Sequence, residues 1–94
     1  MTIRLVDPTV APPEVGKPPA PRAASLDGAT LGLVDNGKTW GREILARVAD
    51  NLAASHGVAD RIAVTKQHVS FPPAPADVER LSTGATAIIA AIGD

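Results

Sequence analysis

The chain has 94 residues, a formal net charge of −1 and a sequence pI near 6.0, which leaves room for one small domain near the size at which a single core only just holds. Its Lys and Arg are scattered singly and form no basic stripe to neutralise phosphates, which argues against a nucleic-acid partner. There is no cysteine, so these residues hold no disulfide, no thiolate metal site and no cysteine nucleophile.

The opening M-T-I-R-L-V-D-P has neither a basic segment followed by a long apolar one nor a run long enough to cross a bilayer, so a cytoplasmic protein with no membrane partner is expected. Residues 1–27 carry six of the nine prolines, and the pairs Pro12-Pro13 and Pro18-Pro19 can neither donate backbone hydrogen bonds nor continue a helix. This stretch reads as a Pro-rich extended arm. Ile3 to Val6 is expected to form a short edge strand before Asp7-Pro8 turns the chain, with polyproline-like segments after it, lying on the domain or on a partner. A disordered tail is the competing reading of the same composition.

Residues 28–94 read as an α/β domain. Leu26-Asp27-Gly28-Ala29 supplies a turn, with Gly28 free to take positive φ. Leu31, Leu33 and Val34 then make a short apolar run suited to a strand covered on both faces of a parallel sheet. At its carboxyl end stand Asp35, Asn36, Gly37 and Lys38, on the edge where open α/β sheets hold ligands. From Thr39, an expected N-cap, the period becomes helical: Trp40, Ile44, Leu45, Val48 and Leu52 share a face, and Gly57 closes a helix of about 15 to 18 residues. With aromatics at only 2% of the chain, Trp40 is expected in the core beside Phe71, although an indole at this corner could line a pocket.

Arg61 to Lys66 is a second strand. The prolines at 72, 73 and 75 then break regular structure, and a short helix opens on Pro75 and closes at Gly84. Ala85 to Ile92, the most apolar run, reads as a central buried strand that ends at Gly93-Asp94. The order β-α-β-α-β makes a small, open, mainly parallel three-stranded sheet, most simply in strand order 2-1-3. A final strand so apolar calls for cover, which gives two expectations: self-association or a partner subunit at the C-terminal strand edge, or a longer protein of which this is the front part.

No complete catalytic set can be assembled. Asp35-Asn36-Gly37 has an ordinary reading as a strand-to-helix turn. Lys38 could hold an anion at the helix N-terminus or be a solvated lysine. His56 suits the end of a helix and His68 a solvated loop, and two histidines without cysteine make a poor metal set. Ser70 and Ser82 lack the G-x-S-x-G elbow. Gly32 and Gly37 do not complete a dinucleotide fingerprint. No metal and no cofactor are expected.

Three segments carry a resemblance: L-V-D-P-T at Leu5 to Thr9, L-D-G-A-T-L-G-L-V-D-N-G-K at Leu26 to Lys38, and A-I-G-D at Ala91 to Asp94. Together they resemble, nearly end to end, the UGSC family of bacterial (seleno)proteins. In that family A-I-G-D is followed by selenocysteine or cysteine, then glycine, serine and cysteine. The resemblance implies that the chain is catalytically incomplete as it stands. It would be a product ended at an unrecoded selenocysteine codon, a chain cut at that point, or a small subunit whose partner carries the motif. It implies selenol or thiol redox or nucleophilic chemistry on a small substrate, the chalcogen lying at a helix N-terminus. Asp35, Asn36, Gly37, Lys38, Gly93 and Asp94 would bind or position, with no catalytic residue inside the chain. The alternative is a non-catalytic structural or regulatory subunit docking through its arm and sheet edge.

Overall fold

A computed structural model describes residues 2–12 and 16–93. Three parallel strands and two helices alternate along the chain: β1 (Thr30–Asp35), α1 (Gly41–His56), β2 (Asp60–Thr65), α2 (Pro75–Gly84) and β3 (Ala87–Ala91). The sheet is open, with strand order β2-β1-β3. Thr30 is level with Asp60 on one side, Leu31 is level with Ala87 on the other, and Asp35 ends opposite both Thr65 and Ala91.

The two helices cover opposite faces, because successive strand residues alternate sides. Leu31 and Leu33 meet Leu45 and Ala49 of α1, with Ala87, Ile89 and Ala91 of β3 packed around them. Gly32, between those two leucines, faces α2. A Cβ there would stand 2.7 Å from Leu81 Cδ2 and 3.2 Å from Ala85 Cβ, so the missing side chain is what lets α2 lie close to the sheet.

Two turns tie the amino ends of the strands together. Gly28, at φ 73°, donates its N–H to Gly57 O at 2.8 Å, and Ala29 O accepts from Ala59 N at 2.9 Å. Gly57 itself takes φ 74° and closes α1 by donating to Ala53 O. The 16-residue helix thus ends in the left-handed glycine that its sequence called for.

Several expectations are corrected. Ile3 to Val6 pairs with nothing: these residues form no strand and are exposed. Among the described residues no helix or strand precedes β1. The radius of gyration, 18.3 Å, exceeds the ~13 Å of a compact 100-residue domain because this stretch extends away. The Pro12-Pro13 expectation lies partly outside the described residues. Asp7 does turn the chain, its Oδ1 accepting from both the Thr9 N–H and hydroxyl.

Thr39 is not the N-cap. Trp40 is, and it lies outside the core together with Ile44, which is 59% exposed. The buried stripe of α1 runs through Gly41, Leu45 and Ala49, so Leu45 of the expected face is buried, Val48 and Leu52 are half-buried at its margin, and the stripe is turned away from Trp40 and Ile44. Phe71 is also exposed, tilted against His68. Gly84 is the last residue of α2, and Ala85 caps it in an extended conformation. β3 is an edge strand, half-covered rather than central, because the 2-1-3 order gives β1 the middle place. No described helix is long and apolar enough to cross a membrane.

Candidate functional site

The carboxyl ends of β1 and β3 lie side by side, and the corner between β1 and α1 folds over both. Asp35 is 4% exposed, yet both its oxygens are satisfied. Oδ1 accepts the Gly37 N–H at 2.7 Å and Oδ2 accepts the Thr65 hydroxyl at 2.7 Å. The first bond makes the turn and the second joins the tip of β1 to that of β2. Gly37 sits at φ 85°, where a side chain would be strained.

Asn36 points the other way, toward β3. Its Nδ2 donates to Gly93 O at 3.1 Å, while its Oδ1 accepts from Gly93 N at 3.1 Å and from Lys38 N at 3.2 Å. All three bonds require one orientation of the amide, since exchanging O and N would set donor against donor and acceptor against acceptor. Gly93 has no room for a side chain: a Cβ would lie 2.8 Å from Thr39 O and 3.3 Å from Lys38 Cβ.

Two open clefts flank this corner. One, of about 430 Å³, is lined by Asp35, Gly37, Lys38, Thr39, Trp40, Arg42, Glu43 and Thr65. The other, of about 450 Å³, is lined by Asn36, Lys38, Lys66, Val69, Ile92 and Gly93. Lys38 borders both.

Of the residues singled out from sequence, Asn36, Lys38 and Gly93 come together around the second cleft. Asp35 and Gly37 line the first, on the other side of Lys38. Asp94 lies outside the described residues. Thr65 was missed, although the signal was available: parallel strands of equal length set the last residue of β2 beside Asp35. Arg42, Glu43, Lys66 and Ile92 were also missed, because their places depend on how the corner turns. Among the described residues no cluster of His, Asp and Glu is arranged to hold a metal.

No curated protein and no solved structure matches the chain. The family model described as UGSC family does, over residues 4–94. That span takes in the Asp7 turn, every strand and helix, and the whole Asp35-to-Lys38 corner, and on this match the chain belongs to the UGSC family.

Proposed function

We propose that the sheet's carboxyl edge positions a selenolate or thiolate, carried by the U/C-G-S-C motif directly after Asp94, for redox or nucleophilic chemistry on a small substrate. The 94 residues supply the positioning half. They contain no cysteine, and in this reading the reacting atom comes from the motif.

The observation that carries this reading is the two-way bond between Asn36 and Gly93. It fixes the backbone one residue before Asp94, beside Lys38 and at the mouth of an open cleft. A side chain that follows closely on a fixed backbone loses little freedom when it is aimed at a substrate. Lys38 contributes positive charge, which favours the anionic, nucleophilic form of a chalcogen. Asp35 and Gly37 act through the shape of the corner.

The test uses a polypeptide in which Cys-Gly-Ser-Cys follows Asp94. With iodoacetamide the first thiolate forms a C–S bond and displaces iodide. It should react faster than the same four residues in an unstructured peptide near neutral pH. Equal rates would contradict the proposal.

A second reading is favoured by β3. From Gly84 to Gly93 there is no charge, and Ile88 and Ile92 are 55% and 89% exposed. Edge strands usually carry charges or proline that prevent pairing, so in this reading the chain docks through β3 onto a second copy or a partner subunit.

A further inference from the structure

We infer that Trp40 is a stacking platform for a flat, conjugated ring, so that the first cleft takes ring-bearing small molecules. The inference deepens the functional reading of this edge and rests on it for its biological purpose. Ring binding itself needs no chalcogen, so the two can fail separately.

Trp40 is the only tryptophan of the chain, and it is 67% exposed, although this side chain has the most apolar surface to hide. Its backbone sits at φ 71°, ψ −8°, and among the described residues it is the only non-glycine with positive φ. A bulky side chain is strained there, whereas glycine is not.

The fold explains the backbone angle but not the indole. Gly41 begins α1 buried against the sheet, where a Cβ would make ordinary contact, 3.5 Å from Asp35 Cβ and 3.8 Å from Ala91 Cβ. To reach that position from Asn36 the chain turns left-handed twice, at Gly37 and at Trp40. Trp40 O then accepts the Ile44 N–H at 3.0 Å. All of this would be served by glycine. Among the described residues the indole has no ring, hydrogen-bond or cation partner.

What the indole does border is the cleft of about 430 Å³, a volume within the range of small-molecule sites. The remaining wall is polar, with Asp35, Lys38, Thr39, Arg42, Glu43 and Thr65 beside Gly37. One apolar ring face among a few polar groups can hold a flat ring and orient its substituents.

As the sole tryptophan, Trp40 gives a fluorescence signal and an indole N–H resonance that report on this cleft alone. The 94-residue chain is titrated with benzoate and benzamide, each against its saturated counterpart, cyclohexanecarboxylate and cyclohexanecarboxamide. The flat probes should perturb the Trp40 signals and the Gly37 and Thr39 amide resonances, and bind at least about threefold more tightly than the saturated ones. Trp40→Gly, followed by the amide resonances, should remove the preference while leaving the melting midpoint unchanged or higher, because glycine takes φ 71° without strain. Trp40→Phe should keep part of the preference. Absence of binding, equal binding of flat and saturated probes, a preference that survives Trp40→Gly, or a lower midpoint for that variant would each overturn the inference.

Discussion

The side chain of Asn36 grips the backbone of Gly93 with both of its polar ends, donating to the carbonyl and accepting from the N–H, each at 3.1 Å. A residue 57 positions earlier in the chain thereby acts as a missing strand partner, carrying the β1–β3 contact two residues past Ala91. Asn36→Ala should lose about 2 kcal/mol, from two or three hydrogen bonds of modest net worth, and should speed amide exchange at Gly93. Asn36→Asp keeps the acceptor but sets a carboxylate against a carbonyl oxygen, and should lose a similar amount. Urea unfolding with residue-resolved exchange checks both. Unchanged protection at Gly93 in either variant would contradict the clamp.

Asp35 and Thr65 tie β1 to β2 through one short bond, the carboxylate buried and the threonine at the surface. Asp35→Ala leaves the Gly37 N–H and the Thr65 hydroxyl without their acceptor and should lose about 2–3 kcal/mol. Asp35→Asn, which retains one acceptor, should lose about 1 kcal/mol. A double-mutant cycle with Thr65→Val should return a coupling near 1 kcal/mol, measured from urea midpoints. Strict additivity would show that the bond contributes nothing.

In the arm, the side-chain and backbone hydrogen bonds from Thr9 hold the Asp7 carboxyl below the ordinary aspartate pKa. Because the folded value is the lower one, the turn gains stability above the ordinary pKa and loses it as pH falls through the lowered one. NMR titration should find Asp7 below a peptide aspartate, and Thr9→Ala should bring it back. The expected effect is on the local turn and not on global unfolding.

The strand and helix order was legible in the sequence because β1 and β3 are short apolar runs, β2 is β-branched in its middle, turn residues separate them, and Gly57 marks the end of α1. The face of α1 was legible only in part, since Leu45 is buried and Val48 and Leu52 are half-buried as read, whereas Trp40 and Ile44 are exposed. Its buried stripe begins with Gly41 and includes Ala49, small residues that weigh little in a hydropathy pattern. Trp40 and Ile44 weigh more in any hydropathy pattern and so pull the reading one residue off. β3 was read as central because hydropathy registers how apolar a strand is but not which neighbours it has. Asp35, Asn36 and Lys38 were legible as a corner. That the first two point to opposite neighbours shows only in the partners they find, Thr65 for Asp35 and Gly93 for Asn36, and that Lys38 separates two clefts shows only once the corner is turned, left-handed at Gly37 and again at Trp40.

The uncharged β3 edge leads to an expectation about association. Light scattering on the 94-residue chain should show dimers or larger species, and Ile88→Lys should shift them toward monomer, since a charge on an edge strand opposes pairing. A wild-type monomer that binds no hydrophobic dye would remove the docking reading.

The central claim, that this corner prepares a chalcogen placed after Asp94, is tested most directly by alkylation rate against pH in a polypeptide where Cys-Gly-Ser-Cys follows Asp94. The comparison is wild type against Lys38→Ala. The account predicts that the first cysteine titrates below an ordinary thiol and that Lys38→Ala raises its apparent pKa by about half a unit to one unit, with unfolding little changed because Lys38 is exposed. Superimposable curves for the two proteins, both at the position of an unstructured peptide, would contradict it.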